Sequence, residues 1–155
     1  RESLLMMAFD NMDKGKYTQA LSAIEKARLW PENLGVGKPY DADIDERFEN
    51  FVQALCLEKV KKKSEADKLY ASLTTEKTSF RNPNLLINAL ALRKTGREAE
   101  GVKLLEEWKV KSSDPSTPDW CLQVFNQHNS QNIPANTDQL RLLARLSDYL
   151  NAKHQ

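Results

Sequence analysis

The sequence predicts an all-α fold: a stack of antiparallel helix pairs, about three repeats deep, with a degenerate pair capping its end. Three observations predict it. Apolar residues recur at steps of three and four along most of the chain, the period of one helix face. Short turns separate these stretches, with a glycine at Gly15 and at Thr95-Gly96. Equivalent residues also return at fixed spacings of 46 and then 35 positions, as in Ala20, Ala66 and Gly101. A recurring unit of this size marks a solenoid, in which each unit buries its apolar face only against its neighbours.

The elements follow in order. Leu4, Leu5, Met7, Ala8 and Met12 place a helix over about residues 2–13, ended by Gly15. Tyr17, Ala20, Leu21, Ile24 and Ala27 form the stripe of a second helix, about 17–29, stopped by Pro31. A turn so short requires the two to pack antiparallel. The stretch Trp30–Tyr40 contains two glycines and two prolines and reads as one long inter-repeat loop. Helix three runs from Ile44 to Val60, with Phe48, Phe51, Val52 and Leu55 inward. Lys61-Lys62-Lys63 is the next turn, and Ser64 with Asp67 makes a weak capping box for helix four. Pro83 opens helix five at a first-turn position, and that helix runs to about Lys94. Helix six carries Gly101, Leu104, Leu105 and Trp108.

The same spacings relate Ala8, Ala54 and Ala89 in the first helices, and Ile24, Tyr70 and Leu105 in the second. The small sites let the helices of a pair approach closely. Residues 1–110 are thus three pairs, and 111–155 a capping pair within one compact domain. In that last pair Thr117 or Asp119 caps a short helix through Phe125, and Thr137 with Asp138 starts a final helix. Its stripe is Leu140, Leu143, Leu146, Tyr149 and Leu150.

The totals bound the function. At 155 residues the chain has length for one domain with a real core. Lys and Arg number 23 and Asp and Glu 22, a net charge of +1. That balance argues against a nucleic-acid partner. No apolar run is long enough to span a membrane. The start Arg1-Glu2-Ser3 lies inside a helical pattern and reads as a piece of a longer protein. Cys56 and Cys121 sit in apolar helical runs and read first as buried free thiols, with a disulfide as the second reading.

Candidate chemistry is weak. Gly35-x-Gly37-Lys38 lacks the spacing and the Ser or Thr of a phosphate loop, and it follows a helix instead of a strand. Asp41, Asp43, Asp45 and Glu46 lack the glycine and distal Glu of a calcium loop; they read as a negative start to helix three. His128 and His154 have no partner at ligand spacing. The residues point to no catalytic, cofactor or metal site.

The pattern Gly15-x-Tyr17-x-x-Ala20-x-x-x-Ile24-x-x-Ala27, followed by Pro31, resembles the second half of a tetratricopeptide repeat. The resemblance covers roughly residues 2–110, and a spacing of 35 is one off the family's 34. It departs from the family in the second pair, where Lys61 and Lys63 replace the turn glycine and the aromatic. It implies a right-handed superhelix whose inner helices line a groove, and a binding scaffold instead of an enzyme. The loop Pro31-Glu-Asn-Leu-Gly-x-Gly37 is similar to the C-terminal repeat region of large bacterial proteins, especially of gut Bacteroidetes. In those a domain of unknown function with a sugar-enzyme-like β-sandwich precedes the repeats. That likeness implies a bacterial fragment, periplasmic or cytoplasmic, with any carbohydrate chemistry in the N-terminal part.

Chaperone-binding members of the repeat family clamp a peptide carboxylate with polar groove residues. The matching positions here are Leu5, Phe9, Val52, Pro83 and Ile87, none of which donates a side-chain hydrogen bond, so the clamp is missing. The expected groove is apolar, made of Leu5, Phe9, Phe51, Val52, Leu86 and Leu90. Its rim is Glu58, Lys59, Arg93 and Lys94. Such a surface is covered by something: a protein or peptide segment, the final helix, or the N-terminal domain in cis. Two functions follow. One is a non-catalytic interaction scaffold, on which Phe9→Glu abolishes binding without unfolding. The other is an accessory domain packed on a carbohydrate-processing catalytic domain. Trp30, Leu34, Gly35, Gly37 and Tyr40 are the loop residues expected to touch a neighbouring helix or domain.

Overall fold

The structure, a computed structural model, describes residues 1–29, 45–75, 82–126 and 132–153. Among these the chain is all-helical, with α1 (Glu2–Asp13), α2 (Tyr17–Arg28), α3 (Arg47–Lys59) and α4 (Lys63–Thr75) followed by α5 (Leu85–Lys94), α6 (Glu98–Lys111), α7 (Ser116–Phe125) and α8 (Asp138–Lys153). Trp30, Leu34, Gly35, Gly37 and Tyr40 lie outside the described residues.

The first six helices pair in sequence as α1–α2, α3–α4 and α5–α6, and each pair packs on the next. Their three turns repeat in atomic detail. Gly15 has φ 75°, Lys61 φ 65° and Gly96 φ 81°, and these positions are 46 and 35 apart. The next amide closes each turn on the helix before it: Lys16 N–H to Asn11 O at 2.8 Å, Lys62 N–H to Leu57 O at 2.9 Å, Arg97 N–H to Leu92 O at 2.8 Å. This is the six-to-one bond of a Schellman cap, which requires a left-handed residue just before its donor. Lys61 therefore holds the conformation that glycine holds in the other two turns, against the steric cost of its Cβ.

Small residues sit where the pairs close. Ala8, Ala54, Ala89, Ala20 and Ala66 have no exposed surface. At Gly101 an added Cβ would stand 2.9 Å from the Ala89 carbonyl oxygen and 2.9 Å from Phe125 Cζ. The backbone of α6 thus approaches α5 more closely than an alanine permits.

Several boundaries differ from the sequence expectation. Pro83 lies in a turn before α5, where the Asn82 side chain accepts the Asn84 N–H at 2.8 Å. Helix α7 starts at Ser116, whose N–H is taken by Asp114 Oδ1 at 3.1 Å. Thr117 and Asp119 are therefore inside its first turn, and Pro118 is tolerated there because first-turn amides have no intrahelical acceptor. Thr137 does cap α8, accepting the Leu140 N–H at 3.2 Å.

The main difference lies in the last pair. Helix α7 continues the stack by packing on α6 and α5, but α8 packs principally on α1. It runs back over the first helices of the stack in place of an antiparallel hairpin with α7. The cause is its sequence. One edge carries Arg141 and Arg145, four apart, and α1 presents Glu2, Asp10 and Asp13 to them.

Candidate functional site

The expected groove residues lie together on α1, α3 and α5, and α8 covers them. Leu5, Phe9 and Val52 have no exposed surface, and Phe51, Leu86 and Leu90 are also buried. Of the coverings considered for this apolar surface, the final helix is the one that lies over it. Phe9 is core: its ring meets Phe48 edge-on at 6.0 Å and Tyr149 of α8 at 6.3 Å. The Arg145 guanidinium lies 5.3 Å from the centre of the same ring. A glutamate here would bury a charge beside an Arg145 already paired with Asp10 and Asp13 and would remove the ring that Phe48 and Tyr149 pack against, so Phe9→Glu is expected to unfold the chain instead of sparing it.

The ionic edge of α8 is specific. Arg141 holds Glu2 in a fork, Nε to Oε2 at 2.7 Å and Nη2 to Oε1 at 2.9 Å. Its hydrogen bonds hold the Glu2 carboxyl below the ordinary glutamate range. Arg145 bonds Asp10 at 3.3 Å and also Asp13. Tyr149 shares a hydrogen bond with Tyr17 of α2 at 3.2 Å between the hydroxyl oxygens, and its burial raises its ionisation point.

The other edge of α8 does not close. A cavity of about 310 Å³ lies between it and the hairpins. From the hairpins come Phe51, Leu86, Leu90, Arg93 and Lys94. From α7 comes Val124, and from α8 come Leu143, Leu146, Ser147, Leu150 and Asn151. Five of the ten groove and rim residues expected from sequence therefore line one space. Leu5, Phe9 and Val52 do not line it, being sealed in the core.

The rim residues separate in the same way. Arg93 and Lys94 stand at the cavity, each about one-quarter exposed. The Arg93 guanidinium stacks 3.9 Å from the centre of the Phe125 ring, donates to the Phe125 carbonyl and pairs with Glu98 at 3.1 Å. Lys94 Nζ is 3.5 Å from Glu58 and 5.6 Å from the centre of the Tyr70 ring. Glu58 thus acts from behind Lys94, and Lys59 is exposed away from the space. The lining contains two cations and no carboxylate.

A second polar feature escaped the sequence reading. Arg47, at the start of α3, is 5% exposed. It donates to Asp45 at 2.8 and 3.0 Å, to Asn82 at 2.9 Å and to Asn88 at 2.7 Å. Asn88 in turn donates to the Leu73 carbonyl at 2.8 Å, tying α3, α4 and α5 together. Burial alone would raise the Asp45 carboxyl; hydrogen bonds from Arg47 and Asn84 outweigh it and hold it at about 2. Arg47, Asp45 and Asn88 find their partners within the chain, while Asn84 Oδ1 is buried without a hydrogen bond; the cluster reads as a structural clamp. Asp45 stands at the start of α3 as expected, accepting the Arg47 N–H at 3.1 Å, and it is also the side-chain partner of Arg47.

Cys56 and Cys121 are buried free thiols, each pushed up to about 12 by burial. Inert thiols of this kind pack as small apolar side chains. Among the described residues no cluster of three His, Cys, Asp or Glu could hold a metal, and no helix is long and apolar enough to cross a membrane. No protein-family model, curated protein or solved structure matches the chain.

Proposed function

We propose that the chain is a non-catalytic scaffold of tetratricopeptide-like helix pairs whose first-helix face recognises an amphipathic helix. The observation that carries this reading is α8 itself. It lies on that face with its apolar residues inward and its arginines on the acids of α1. Helix-in-groove recognition uses anchors three, four and seven residues apart, and Leu142, Leu146 and Tyr149, all buried, supply them. The recurrence of turn geometry at spacings of 46 and 35 supports the repeat reading. The alternative, an accessory domain pressed by this face onto a catalytic domain, is less well supported, because α8 already covers the face.

A trans-binding experiment tests the reading. A labelled peptide of residues 138–153 is titrated into the whole chain and into the double variant Arg141→Glu, Arg145→Glu, which sets its own α8 against α1. Fluorescence anisotropy should show saturable binding to the variant and much weaker binding to the unaltered chain, whose groove is filled. Failure of the peptide to bind a folded variant would remove helix recognition as the function of this face.

A further inference from the structure

We infer that the cavity beside α8 is a binding site for a small amphipathic carboxylate, a medium-chain fatty acid or a compound of that shape. This stands apart from the scaffold reading, since it concerns the space that α8 leaves open and not the face that it covers.

Three observations lead there. The first is size. At about 310 Å³ the cavity falls at the small end of ligand pockets. With water taken as about 30 Å³ per molecule, this is room for about ten non-hydrogen atoms. The second is the division of its wall. Phe51, Leu86, Leu90, Leu143 and Leu146 are all buried and form an apolar interior. Arg93, Lys94 and Asn151 are polar lining residues that keep solvent-accessible surface.

The third is the sign of the charge. Every ionic group on the lining is a cation, and their acids, Glu58 and Glu98, lie outside it. A ligand with an apolar tail and an anionic head matches both parts. A cationic head does not, whereas an anionic head can share Arg93 and Lys94 with Glu98 and Glu58, the acids that pair with them from outside the lining. Because Leu143, Leu146, Ser147, Leu150 and Asn151 belong to α8, the site exists only while α8 is docked. Occupancy therefore holds α8 in place.

The test uses the whole chain with octanoate as the probe, octanol as its neutral counterpart and octylamine as its cationic one. Isothermal titration should give saturable octanoate binding with Kd on the order of 0.1–1 mM, the range that about ten atoms reach at modest efficiency. Octanol and octylamine should bind at least about tenfold more weakly, the step that 1.4 kcal/mol gives. Lys94→Met, which keeps the apolar stem and removes the charge, should bring octanoate down to the level of octanol. Leu150→Trp, at a half-buried position on the wall, should abolish binding.

Amide shift changes in the unaltered chain should centre on residues 86–94 and 143–151, a readout that does not depend on any variant folding. No saturable binding, octanol as tight as octanoate, or shift changes centred away from α5 and α8 would each overturn the proposal. Full binding retained by a folded Leu150→Trp would do the same.

Discussion

The two edges of α8 differ in kind. Against α1 each long side chain has a partner: Arg141 has Glu2, Arg145 has Asp10 and Asp13, and Tyr149 has Phe9 and Tyr17. Against α3, α5 and α7 the same helix faces a void of about 310 Å³. One helix is thus both a seal and a wall. The difference shows how a face built of helix pairs can be closed without being filled. Ionic pairs along one edge fix the position of α8, and the volume of the groove exceeds what its leucines occupy on the other.

Substitutions can break or sharpen this contrast. The largest effect is expected on the closed edge. Phe9→Ala should cost about 3–5 kcal/mol by denaturant unfolding, because its neighbours on two helices cannot collapse into the space. Leu90→Ala, beside a space that already exists, should cost less, near the lower end of the roughly 2–5 kcal/mol range for leucine. Equal costs would mean that the two edges are packed alike.

Gly101→Ala provides a reference away from both edges. Its Cβ would meet the Ala89 carbonyl at 2.9 Å, an overpacking that should cost about 1–3 kcal/mol. Unchanged stability would show that α5 and α6 are further apart than described.

A pH titration separates the ionic edge from the buried clamp. The Asp45 carboxyl, held at about 2, starts from about 3.9 in the unfolded chain. Its contribution is present above that unfolded value and is lost as pH falls from about 4 through 2. With the carboxylate one-third exposed, solvent screening reduces the effect to about 1–2 kcal/mol. Asp45→Asn should flatten this acid limb. A limb of the same size in the variant would place the acid sensitivity elsewhere, on Glu2 or its neighbours along α1.

Replacing Arg141 and Arg145 together by glutamine should cost roughly 1 kcal/mol or less, and the cost should shrink in high salt, as expected for partly exposed pairs. A large, salt-independent loss would mean that charge contributes little beyond packing at that edge. The smallest effect is a gain. Lys61→Gly relieves a side chain from φ 65° and should stabilise by about 0.5–1 kcal/mol, read as a raised thermal midpoint.

The helix pairs were legible in the sequence because their signals are local. Apolar period, turn glycines and small sites at Ala8, Ala54 and Ala89 all act within one hairpin or between neighbours. Even Lys61, which lacks the glycine signal, was locatable from the spacing of 46 and 35. The return of α8 was not legible as such. Its leucine stripe states that one face is buried, but no periodicity states against what. The arginines at 141 and 145 and the acids at 10 and 13 held that information, and only as charge complementarity across more than a hundred residues. The cavity was half legible. Its hairpin wall, Phe51, Leu86, Leu90, Arg93 and Lys94, follows from helix phase, whereas its other wall depends on where α8 lands. The Arg47 clamp was hidden because its residues come from two stretches, the start of α3 and the start of α5, that share no period.

The position of α8 is the claim on which the groove, the cavity and the ligand all rest. Nuclear Overhauser contacts of the Tyr149 ring test it most directly, in a chain with tyrosine and phenylalanine rings selectively labelled. The account predicts cross-peaks from Tyr149 to Phe9 and Tyr17, whose ring and hydroxyl it meets at 6.3 and 3.2 Å. Cross-peaks from Tyr149 to α7 residues such as Phe125, without any to Phe9, would contradict it and restore a simple capping pair.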